Sequence, residues 1–351
     1  MTPGRLIASF ATPHELALSI LDVPLRVRTN DPDVLDALGR YFAPWVVAGA
    51  AAPVADVRLV QGDVQTAGEF VDLARADGRK VKEAVQELPG GRLILKRATG
   101  VVMALWPGGA FAAGDVRANL NQAINLINSC YAKAVLGRGH VLLHAAAVSW
   151  AGRAVALAGP PGAGKSTAAL HLVEAGFRFV SNDRVLAKPL PGHVEALGYP
   201  KRPRVNPGTL LHHPRLSALL APEARGELAA LSPGELWALE RKSDVDLEAI
   251  YGRGTIELGS RMVALVLLGW RRDAGAWSAR RVSSAEALAA LPLFYKDLGA
   301  FDLDRHPRSP VTAAERARYG EVLDRVEVLE VTGSTDFASL VGLVGDLLAR
   351  P

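Results

Sequence analysis

The sequence predicts an α/β protein with an N-terminal mixed α+β lobe over residues 1–114 and a larger core over residues 115–351. Three observations predict it. β-like apolar runs alternate with helix-period segments through the second half; one such run feeds a glycine-rich loop that opens a helix; and the first third is mostly short strand-like pieces around one amphipathic stretch.

In the lobe, Leu25–Arg28, Val57–Val60, Leu93–Lys96 and Val101–Trp106 read as strands, and Asp33–Phe42 as the amphipathic helix. Ala48–Val54 is a small-residue, proline-containing connector, and the Gly/Ala-rich segment Pro107–Gly114 is expected to end the lobe as a second one. Leu120, Ile124, Ile127, Tyr131 and Val135 recur at helical spacing, so Asn119–Leu136 is a predicted helix that Gly137 and Gly139 stop. Two β-like runs follow, Val141–Val148 and Arg153–Ala158, with a turn at Trp150–Gly152. Lys165–Glu174 reads as a helix ended by Gly176, and Phe177–Val180 as a strand that runs into Ser181, Asn182 and Asp183. Met262–Gly269 is a buried strand, Ser284–Leu291 and Thr312–Leu323 are helices, and Arg325–Val331 is a late strand. Asp336 caps a last helix to Arg350.

A chain of 351 residues that is 49% apolar has the composition of a packed protein of one large domain or two ordinary ones. Apolar runs such as Met262–Gly269 are far shorter than the roughly 20 residues of a membrane-crossing helix. Met1–Phe10 lacks the long apolar stretch of a secretory signal, so the expectation is a cytoplasmic chain with no membrane partner. The single cysteine, Cys130, excludes an internal disulfide and a cysteine-based zinc site, and its place on a helix face makes it an inert core thiol. A net charge of +4 spread over 40 basic and 36 acidic residues gives no dense stripe, so no nucleic-acid partner is expected. The short basic clusters are Lys201, Arg202 and Arg204, the pair Arg271 and Arg272, and the pair Arg280 and Arg281; anionic phosphates account for them equally well.

The chemistry is concentrated in one segment. Gly159, Pro160, Pro161, Gly162, Ala163, Gly164, Lys165, Ser166 and Thr167 match the phosphate-loop pattern at every fixed position, between an apolar strand and an amphipathic helix. Glycines let successive N–H groups point into one concave nest, to which the helix adds its positive end. A nucleoside triphosphate fits there, ATP with Mg²⁺ being the expected ligand. Lys165 would neutralise the β and γ phosphates and the Ser166 hydroxyl would coordinate Mg²⁺. No Asn-Lys-x-Asp guanine reader and no LSGGQ-like signature is found. The strand after the loop that ends in a carboxylate makes Asp183 the candidate metal ligand or base.

These residues resemble the HPr kinase/phosphorylase family, which phosphorylates a serine of a carrier protein on a core akin to that of phosphoenolpyruvate carboxykinase. His144 stands 21 residues before Lys165 and the acidic strand end 18 residues after it. The stretches Gly198–Thr209, Ser243–Gly252 and Glu330–Phe337 are similar to the HPr-kinase-related "kinase B" branch, and the likeness spans about residues 119–337. The resemblance implies a P-loop kinase core of that type, ATP-dependent transfer to a serine or threonine of a protein or peptide, and His144 facing the γ-phosphate. It also admits a homo-oligomer. A metabolite kinase, and a nucleotide-gated binding protein without transfer activity, are the alternatives.

One departure bears on mechanism. The family's acidic pair is here Asn182 and Asp183, and an amide accepts no proton at neutral pH. The base is then Asp183 or His144, or positioning alone carries the transfer, and reverse phosphorolysis loses support. Glu195 is the candidate for the family's later metal-binding glutamate. Lys201, Arg202 and Arg204 interrupt a proline-rich segment that would hold their charges on a rigid loop near the transferred phosphate, with Arg202 and Arg204 to steady the transition state, against the reading of a solvated basic loop. Asp244 and Asp246 share one side of a strand as metal or cation ligands or as solvated surface, while Trp45, Trp106 and Trp237 read as packing residues.

Overall fold

The computed structural model of the protein describes residues 10–49, 52–74, 78, 80–239, 241–272, 274–307 and 309–350. Residues 1–9 and the middle of the Ala48–Val54 connector lie outside them. The chain is mixed α/β and divides into two compact units, one of residues up to Arg138 with Asp297–Pro310, the other of Gly139–Lys296 with residues from Val311 onward. No helix among the described residues is long and apolar enough to cross a membrane.

Among the described residues the first unit carries an eight-stranded sheet in the order β1-β2-β3-β8-β7-β6-β5-β4. Its strands are β1 His14–Ile20, β2 Val23–Thr29, β3 Ala55–Gln61, β4 Val71–Asp72, β5 Glu83–Leu88, β6 Gly91–Lys96, β7 Val102–Trp106 and β8 Gly109–Gly114. Helix α1, Pro32–Tyr41, starts where the Asp31 carboxylate accepts from the Asp33 and Val34 amides, and it connects the parallel strands β2 and β3. The Gly/Ala-rich segment expected as a connector is instead the buried central strand β8, parallel to β3 and antiparallel to β7. Its small residues serve packing: a Cβ on Gly109 would run into the Trp106 indole, and helix α2, Leu120–Leu136, lies against β2, β3 and β8. That helix belongs with the first sheet, so the division falls after Arg138 rather than at Gly114. The returning segment is tied down by Arg92, which donates to the carbonyls of Ala300 (3.0 Å), Asp302 (2.7 Å) and Arg305 (3.1 Å).

The second unit holds, among the described residues, a nine-stranded sheet with helices on both faces. Its strands are β9 Val141–Leu143, β10 Ala145–Trp150, β11 Arg153–Ala158, β12 Arg178–Ser181, β13 Val185–Leu190, β14 His193–Leu197, β17 Gly259–Leu268, β18 Ser278–Arg281 and β19 Glu327–Thr332, while the two-residue strands β15 Arg204–Val205 and β16 Ser243–Asp244 pair apart from it. β17 is the axis. One edge pairs in parallel with β11; the other takes β14 along Gly259–Met262 and then β19 along Ala264–Leu268. The ten helical residues Lys165–Glu174 (α3) contribute Ala168, Leu170 and Leu172 to one core, with Val344 and Leu347 from the C-terminal helix. On the opposite face Tyr319, Val322 and Leu323 pack with Phe294 against Ala156, Ala158 and Leu265.

The run expected as one strand over Val141–Val148 is broken at His144. β9 pairs with β13, whereas β10 pairs with β11 and β12, so the strand changes neighbours at that residue. The His144 amide leaves both ladders and donates to the Phe294 carbonyl at 2.7 Å.

Candidate functional site

β11 ends at Ala158 and the chain turns into the glycine loop beside the carboxyl end of β17. A Cβ on Gly159 would sit 2.8 Å from the Leu268 carbonyl oxygen, so no larger residue fits without moving that strand. Gly162 and Gly164 have φ of 85° and 81°, the left-handed region that glycine adopts at least cost, and Gly164 is the N-cap of α3. The indole of Trp270, two residues past β17, donates to the Ala163 carbonyl at 2.8 Å and props the loop from outside. Thr167, in the first turn of α3, shares a 2.9 Å hydrogen bond with Thr209 of helix α4, Pro207–His212.

The Lys165 amine is folded onto its own loop, donating to the carbonyls of Gly159 (2.8 Å) and Pro160 (3.2 Å). Burial pushes its pKa down to about 8; the Asp183 charge opposes this, and Lys296 and Lys242 add to it. Asn182 donates from Nδ2 toward the Ser166 hydroxyl at 3.5 Å, which sets Asp183 next to the start of α3. The Asp183 carboxylate faces His144 Nε2 at 3.4 Å and Arg184 Nε at 3.5 Å. Burial raises its pKa, but the hydrogen bond to His144 and the charges of Lys296 and Arg184 outweigh that and hold it well below the usual carboxylate range. Half of its side chain is open to solvent, which limits the burial penalty.

Loop, Lys165, Ser166, Asn182, Asp183 and His144 are therefore brought together. Arg202 and Arg204 are engaged elsewhere: Arg202 pairs with Asp246 at 2.6 Å and Arg204 with Asp244 at 2.9 Å, where β15 meets β16. These contacts also account for Asp244 and Asp246 without a metal or a cationic ligand. Arg280 pairs with Glu330 and Glu286, and Arg281 with Glu327, so that basic pair needs no phosphate. Glu195 binds His140 Nε2 at 2.8 Å.

One cation at the site, Lys296, carried no sequence signal of its own. Lys296 follows Tyr295, which bridges to Leu143, and its amide donates to the Leu142 carbonyl at 3.2 Å. The Tyr319 hydroxyl donates to the same carbonyl at 2.6 Å, so the Phe294–Lys296 segment is clamped along β9 and the Lys296 charge acts on both Lys165 and Asp183. Lys201 is the member of the proline-rich basic loop that lies within reach of the Asp183 and Arg184 charges. Burial, then Arg184, pushes it down to about 8, with Asp183 pulling the other way.

No family model matches the sequence, and no curated protein matches it. Among solved structures, the HPr(Ser) kinase/phosphatase from Coxiella burnetii is similar over 59% of this chain and 93% of that one. The two are 10% identical and superpose with a TM-score of 0.28, which is too low to establish a shared fold.

Proposed function

We propose that the chain binds ATP with Mg²⁺ on the Gly159–Thr167 loop and transfers the γ-phosphoryl group to an acceptor hydroxyl, a serine or threonine of a protein or peptide. The observation that carries this reading is the convergence of a lysine-bearing glycine nest, at the start of a helix, with the Asp183–His144 pair across Ser166. Lys165 would leave the Gly159 and Pro160 carbonyls for β and γ oxygens. The Ser166 hydroxyl and Asp183 carboxylate are hard oxygen donors that suit Mg²⁺, an ion held largely by water and substrate phosphates. When bound, Mg²⁺ would neutralise charge on the β and γ phosphates.

A carboxylate held this low is a weak proton acceptor at neutral pH, so in this proposal Asp183 holds metal and orients His144, whose imidazole takes the acceptor's proton. Lys296 and Lys201, rather than the ion-paired Arg202 and Arg204, supply positive charge around the reacting phosphoryl group. Transfer through a loose transition state asks mostly for such positioning and charge. The binding-protein alternative rests on Asn182, an amide beside Ser166 where a second carboxylate is expected.

Purified protein incubated with γ-labelled ATP, alone and with extract fractions, tests the reading beside Lys165→Ala and Asp183→Ala. The expected result is Mg²⁺-dependent labelling of an acceptor, reduced on the order of hundredfold in either variant. ATP binding with no labelling in any fraction would leave the binding protein standing, and no Mg²⁺-dependent ATP binding at all would end both readings.

A further inference from the structure

A cavity of about 430 Å³ opens in the second unit, among the helices that follow α4: α5, Pro222–Ala229, and α6, Pro233–Ala238. Leu211, Leu228, Leu231 and Leu236 make its walls apolar, and His212 and Trp237 add two aromatic rings that lie near parallel, 25° apart. Sequence reading takes Trp237 as a packing residue. Its surroundings say more, because one face of its indole is covered by the guanidinium of the exposed residue Arg272, 3.8 Å from the ring centroid.

Two independent chains of contacts link this ring to the glycine loop. Gly208 lies against the indole, where a Cβ would come within 3.0 Å of it, and its neighbour Thr209 is hydrogen-bonded to Thr167 in the first turn of α3. Arg272 stands two residues after Trp270, whose indole holds the Ala163 carbonyl. Between them, Arg271 is fixed by its amide to the Gly333 carbonyl at 2.9 Å, so the Arg272 side chain starts from an anchored backbone. The cavity size is within the range of small-ligand pockets, and an indole in its wall with an exposed guanidinium over one face suits a flat heteroaromatic ring.

We propose that Trp237 and Arg272 form the purine-base site of the nucleotide, the base stacking on the indole with the guanidinium on its outer side. The inference rests on the reading that the loop binds polyphosphate, and it assigns to this chain a contact that the loop pattern does not contain. Base recognition and phosphate grip are then separable. Titration of Mg·ATP and of Mg·inorganic triphosphate, each against wild type, Trp237→Ala, Trp237→Phe and Arg272→Ala, tests it. Trp237→Ala is expected to weaken ATP about tenfold and Arg272→Ala severalfold, while triphosphate affinity stays unchanged and Trp237→Phe retains most of the ATP affinity. Unchanged ATP affinity in Trp237→Ala overturns the assignment. So does an equal loss for ATP and triphosphate, since that marks a structural tryptophan. Wild type that binds neither ligand overturns the assignment together with the loop reading, whereas wild type that binds both equally well overturns the base site alone.

Discussion

Lys165 is the residue whose chemistry is most open to measurement. Its amine is pushed down to about 8 in the free protein, and a polyphosphate must raise it again, because only the ammonium form pairs with phosphate oxygens. Below pH 8 the amine is already charged and binding takes up few protons; above pH 8 binding takes up a proton and affinity falls. Calorimetry at pH 8.5 in buffers of different ionisation heat should show net proton uptake, shrinking toward zero at pH 6.5, and Lys165→Ala should reduce it to the part owed to Lys201. Cys130 gives a second expectation. Cys130 is half-buried and that burial raises its thiol, so the folded protein should react with thiol reagents at pH 8 more slowly than the unfolded chain. The loop residues were legible in the sequence because glycine nest, lysine and hydroxyl are adjacent along the chain. Lys296 was not, since its approach to Asp183 depends on the clamp between Tyr319 and the Leu142 carbonyl, 177 residues apart.

The elements divide along the same line. Strands flanked by turn residues and helices opened by a capping side chain could be read locally: the Thr312 hydroxyl and Glu315 carboxylate form a reciprocal cap for Ala313–Leu323, and Asp336 caps Phe337–Ala349. Thr312→Ala should cost about 1 kcal/mol in urea unfolding with no effect on nucleotide affinity. β8 was misread because Gly and Ala signal a connector by composition but fit a central strand under a closely packed helix. The break at His144 was hidden because both halves of the run are apolar, and the change of neighbours belongs to the sheet rather than to the run. The hairpin β13–β14 escaped notice since its residues lack a clean alternation of burial. At the loop, Gly159→Ala sets a methyl against the Leu268 carbonyl and should weaken Mg·ATP tenfold or more while circular dichroism stays that of wild type.

At the scale of the whole molecule, the candidate machinery lies in the second unit, while the first unit has its own buried cluster around Val60, Leu93, Ala104 and Phe111. Ligand binding stabilises what it binds by mass action, about 2.7 kcal/mol at a hundredfold excess over Kd. Hydrogen exchange with saturating Mg·ATP should therefore slow in the loop, in α3 and in the ends of β17 and β19, and leave β1–β8 as they were. Protection spread evenly over both sheets would count against the assignment of nucleotide to the loop. The folded-back lysine has a last consequence for selectivity. A cradle whose ammonium serves two carbonyls is a latched one, so an anion must offer enough oxygens to compensate both partners and still occupy the amides. Orthophosphate, small and abundant in any cell, is poorly equipped to spring that latch, and long polyanions are favoured before any base is inspected.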